Sequence, residues 1–165
     1  MKKNKKGSLL DLAYILYVIA GFSLLLLIFG TLNNAWNEKM QALDSMPAEG
    51  KTAQQKINNL YSGVLDNSVL FLVIGMCMAT LIMAMMVVIH PVFFVLYFIL
   101  LPIIIYIGGV CSNIYQAAAS NPALSAMADQ LIVTSYVCQY LPFLIGAFGF
   151  LIAMVMYKSW RNANG

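Results

Sequence analysis

His90 is the single histidine of the chain, and its imidazole is the one side chain of a long apolar stretch able to change charge near neutral pH. Three cysteines, Cys77, Cys111 and Cys138, add thiols, and Met76, Met78, Met83, Met85 and Met86 crowd one segment with soft sulfur. Soft sulfur suits Cu(I), but a metal path needs these atoms on one helical face. Met83 and Met86 share a face, whereas Met78 and Met83 do not, and the others scatter round a helix. Adaptable apolar packing accounts for the group better. The cysteines read as small buried hydrophobes, and sequence spacing cannot argue for a Cys111–Cys138 disulfide. The sequence carries no Ser/His/Asp set, CxxC, HExxH or phosphate-cradling glycine loop. It therefore offers no catalytic, cofactor-binding or metal-binding residue, and the expectation is a protein that is not an enzyme.

What must position these groups is a membrane. From Asn67 to Ala128, 62 consecutive residues contain no Asp, Glu, Lys or Arg, where ordinary composition places a charge roughly every four residues. The whole chain of 165 residues is 62% hydrophobic and 9% charged. A soluble domain could not bury so much apolar surface, so the fold class expected is an all-α polytopic membrane protein. Four segments are long enough to cross at about 20 residues each: about 9–32, 69–89, 91–111 and 131–157. The second and third cannot be one helix, which would be over twice the ~30 Å hydrocarbon thickness. His90–Pro91 is the expected turn, because proline removes a helical donor and restricts the residue before it. His90 and Pro91 are accordingly the candidates for a helix turn or a pH-sensitive position.

The basic residues set an orientation. Lys2, Lys3, Lys5 and Lys6 precede the first span, and Lys158 and Arg161 follow the last. With four spans both termini lie on one side, which the positive-inside rule makes cytoplasmic. The basic N-terminus 1–8 with the uninterrupted run 9–32 reads as a retained signal anchor, with Ser8 and Asp11 forming a capping box. A single four-helix domain, 9–165, would end in a cytoplasmic tail, 158–165. The net charge of +3 sits mostly at these ends and indicates no specific nucleic acid.

Two outer loops follow. In 33–66, Trp36, Met40 and Leu43 continue a helical stripe out of the first span, and 46–50 reads as a turn. Ala53, Ile57, Leu60, Tyr61, Val64 and Leu65 then form a second stripe, so an extramembrane helical hairpin with its apolar stripes zipped together is expected. The same residues, Trp36, Met40, Leu43, Ile57, Leu60 and Tyr61, are candidates for partner docking. In 112–130, Ser120-Asn121-Pro122 reads as a capped start of a short helix. Gly75 with Ala79, and Gly149 with Ala153, are small-xxx-small pairs that permit close helix approach, and Pro102 and Pro142 should kink their spans.

A chain rich in packing surfaces and poor in reactive groups points to a structural or assembly role in a larger membrane complex. The chain could belong to a secretion or pilus-like apparatus, be an accessory subunit of a membrane complex, or form part of the membrane layer of a virus. The alternative is a small oligomeric pore or holin-like channel. The partners expected are the lipid bilayer and other membrane subunits or copies of the chain itself.

Overall fold

The computed structural model describes residues 8–86 and 91–164, and its elements are α1 (Ser8–Ala42), α2 (Ala48–Leu60), a π-helical turn (Tyr61–Leu65), α3 (Asp66–Met86), α4 (Pro91–Ala119), α5 (Ser125–Ala128), α6 (Ile132–Gln139) and α7 (Leu141–Asn164). Among the described residues, four helices are long and apolar enough to cross a membrane. The protein is a multi-pass α-helical membrane protein. His90 and the Ser8–Asp11 capping contact lie outside the described residues and side chains.

Each long helix buries one stripe at helical spacing. On α4 it is Tyr97, Leu101, Ile104, Gly108, Ser112 and Tyr115, and on α3 it is Asp66, Val69, Val73, Cys77, Thr80 and Ala84. These stripes, with Leu27 of α1 and Ile152 of α7, form one continuous core. Around that core α1 lies between α3 and α4, and α7 lies between them on the other side. Among the described residues α3 and α4, consecutive in sequence, do not form a packed pair. The two helices therefore do not make the side-by-side hairpin that their closeness in sequence suggests, and the His90–Pro91 turn expected between them falls at the edge of the described residues.

Several boundaries differ from the sequence reading, each for a local reason. α1 does run about three turns beyond residue 32, but the turn at its end is 43–47, with Pro47 extended at φ −59°, ψ 148° before α2. Glu49 and Gly50 belong to α2. The second span has no separate start at 69, since α2 continues through the π turn into α3. α4 extends two turns past residue 111. The fourth span is broken: α6 ends at Tyr140 (φ −95°, ψ 11°), and Pro142, with no N–H to give, opens α7. The Ser112 hydroxyl, donating to the Gln139 carbonyl at 3.3 Å, serves the backbone at that break.

The two small-residue pairs part company. Gly149 faces the Leu101 side chain so closely that an added Cβ would collide with it, and the Tyr97 hydroxyl donates to the Gly149 carbonyl at 2.9 Å. Ala153 is also buried. Gly75 and Ala79 face outward, with open space beside Gly75. Gly149→Val should therefore lower stability in detergent by about 1–3 kcal/mol through overpacking. Gly75→Val should stay within about 1 kcal/mol of the parent. Thermal unfolding of both variants in one detergent checks the contrast, and equal losses would contradict it.

Candidate functional site

A helix that starts inside a packed bundle leaves its first N–H groups without partners, and α6 starts that way, on the fully buried Leu131. No side chain of α6 caps it. The cap comes from α3. Asp66, 6% exposed, accepts the Val133 N–H at 2.8 Å on one carboxylate oxygen and the Thr134 N–H at 2.7 Å on the other. The Thr134 hydroxyl donates to that second oxygen, also at 2.7 Å. A carboxylate is the favoured charge at a helix N-terminus, so the junction satisfies geometry and electrostatics together. The π turn immediately before Asp66 inserts extra backbone per turn and sets the register that turns this residue inward.

Further polar contacts surround α6. The Ser135 hydroxyl donates to the Ala128 carbonyl at 3.2 Å, so the Tyr115 hydroxyl, 3.2 Å from Ser135 Oγ, is the donor of that pair. Gln116 Nε2 donates to Ser112 Oγ at 3.1 Å. Behind α6, the Ser23 hydroxyl of α1 is fully buried, and the buried Cys138 thiol, a weak hydrogen-bonding group, lies beside it. Asp66, Ser23, Tyr115 and Ser112 were not legible as a group, because three different elements supply them. The one available signal was that Asp66 closes the charge-free run.

The outer hairpin forms, but its seam is polar. Asn33 Nδ2 donates to Asn58 Oδ1 at 2.7 Å, and Gln41 Nε2 donates to the Lys51 carbonyl at 2.8 Å. Tyr61, half-buried, donates to the Leu26 carbonyl at 3.2 Å. The apolar stripes do not zip together. Trp36, Leu43, Ile57, Leu60 and Val64 are all exposed, Met40 is half-buried, and α2 buries no residue at all.

These exposed residues extend the apolar surface beyond the length of one hydrocarbon core. Gly108 of α4 packs against Leu16 of α1, which puts the two helices in register. At 1.5 Å per residue, the path from Val95 up to Gly108 and on from Leu16 to Trp36 is about 50 Å. Val95 and Trp36 are 59% and 58% exposed. Hydrocarbon is about 30 Å thick, and the bilayer with its headgroups about 40–45 Å.

Of the remaining candidates, Met76 is half-buried while Met78 and Met85 face outward. Among the described residues no three His, Cys, Asp or Glu side chains group as metal ligands. All three cysteines are free thiols. Asn121 accepts the Ala123 N–H on its side chain at 3.0 Å, but the helix it introduces begins only at Ser125 and is one turn long. No protein-family model, curated protein or solved structure matches the chain.

Asp66→Ala should cost about 2–4 kcal/mol, because three donors lose their acceptor in a buried site. Tyr97→Phe, which removes one neutral bond between α4 and α7, should cost about 1 kcal/mol. Denaturation midpoints in detergent decide this, and an Asp66→Ala loss no larger than that of Tyr97→Phe would contradict the role given to the carboxylate.

Proposed function

We propose that the chain is a non-enzymatic structural subunit that assembles into a larger membrane complex, with both termini cytoplasmic and the α1–α2 hairpin on the outer side. The observation that carries this reading is the excess length of exposed apolar surface over the bilayer. Lipid covers apolar side chains at no cost, so exposed residues within the spans call for no partner. Trp36, Leu43, Ile57 and Leu60 on the hairpin are different. If lipid covers α4 down to Val95, the hairpin tip stands in water, and contiguous apolar surface in water marks a protein interface. The polar seam leaves those side chains available to a neighbour. The candidate docking residues are thus Trp36, Met40, Leu43, Ile57 and Leu60, while Tyr61 serves the hairpin itself.

Site-specific photo-crosslinking in cells producing the full chain tests this. A photoreactive side chain at position 57 or 36 should yield a protein adduct of discrete mass. The same group at position 103, exposed in mid-span on α4, should yield mainly lipid adducts. Lipid adducts alone at all three positions would contradict an assembly role. Orientation is checked separately by cysteines placed at positions 48 and 162 with the native cysteines replaced. The proposal expects labelling from opposite sides of the membrane, and labelling from one side would overturn the topology.

A further inference from the structure

We infer that α6 is a plug, seated by Asp66, that covers a group of polar side chains in the bundle and admits water to them when it is released. Four observations on the helix and its surroundings support this. First, α6 is mechanically separate. Leu131 (φ −91°, ψ 62°) interrupts the helical backbone before it, and Tyr140 followed by Pro142 interrupts it after. An eight-residue segment bounded in this way can shift as a body while α7 stays packed on α4.

Second, the hydrogen bonds that hold α6 to the long helices run through side-chain polar groups. Asp66 holds its N-terminus, the Tyr115–Ser135 pair its middle, and Ser112 its C-terminal carbonyl at Gln139. Such bonds exchange readily for bonds to water, which the apolar contacts between α4 and α7 cannot do. Third, the closed state leaves a hydroxyl poorly satisfied. The fully buried Ser23 hydroxyl has the Cys138 thiol beside it, and sulfur is a weak hydrogen-bond acceptor. Water entering behind α6 would satisfy it, which offsets part of the loss on release. Fourth, the release point is coupled to the hairpin. Asp66 directly follows the π turn Tyr61–Leu65, whose Tyr61 is bonded to α1. A partner that moved α2 would rotate Asp66 away from the α6 N-terminus.

Opening would expose Ser23, Ser112, Tyr115, Thr134, Ser135 and Cys138, a lining of hydroxyls and one thiol. This suits water or a small neutral hydrogen-bonding solute, with the Asp66 carboxylate at its mouth.

Cys138, 1% exposed in the closed state, is a native reporter of release. The experiment uses the full chain in detergent with Cys77→Ser and Cys111→Ser, and follows reaction of Cys138 with a water-soluble maleimide. The parent should label slowly. Asp66→Ala should label at least 10-fold faster while keeping its helical circular dichroism and a monodisperse elution profile. Thr134→Val removes one of the three bonds to the carboxylate and should raise the rate severalfold, and it serves if Asp66→Ala does not fold. Tyr97→Phe weakens the bundle elsewhere and should leave the rate unchanged, which separates plug release from general loosening. A Thr134→Val rate equal to that of the parent would overturn the proposal, as would a Tyr97→Phe rate raised as much as that of Asp66→Ala.

Discussion

Inside a bilayer a backbone N–H or C=O without a partner costs several kcal/mol, so a chain there must close its own hydrogen bonds. Three long helices of this protein meet that demand by simple continuation. The descending limb after α4 cannot, because Pro142 breaks it and leaves a separate helix, α6, with a buried start. The carboxylate of Asp66 resolves the difficulty from the neighbouring helix, through three donors within 2.8 Å. Much of the outer half follows from that placement. The π turn sets the register of Asp66, α5 and Leu131 deliver the α6 N-terminus to it, and Ser112 completes the other end of α6.

The membrane address and the number of long helices were legible in the sequence, because both follow from runs of residue type that need no knowledge of neighbours. The continuation of α1 through Trp36 to Ala42 was legible for the same reason. The role of Asp66 was not. Its partners, Val133 and Thr134, lie 67 and 68 residues away, and no periodicity links an acid at one helix start to the start of another. The hairpin shows a subtler failure. Ala53, Ile57, Leu60 and Val64 have the spacing of a buried stripe, yet Asn58, Gln41 and Asn33 take the seam. Spacing identifies a face without saying what covers it. The small-residue pairs show the same limit: Gly149 meets Leu101, while Gly75, of identical pattern, meets open space.

The proposed function rests on a mismatch of lengths. Apolar surface about 50 Å tall exceeds about 30 Å of hydrocarbon and, by less, the roughly 40–45 Å of a bilayer with its headgroups, and the excess is the band proposed for a protein neighbour. Tilt is a poor remedy, since the angle needed is well beyond the roughly 20° usual for membrane helices. The band lies on a hairpin held by polar bonds, which leaves its apolar side chains outward-facing and ordered for contact. The same hairpin leads through the π turn to Asp66, so a neighbour bound outside the membrane has a direct mechanical route to α6.

The mass of the particle extracted from its own membrane with native lipids retained tests the assembly reading most directly. One chain weighs 18.2 kDa. A subunit whose hairpin is covered by protein gives a discrete particle holding several chains, of its own kind or of a partner. A particle of one 18.2 kDa chain with lipid alone, its hairpin open to solvent, would contradict that reading.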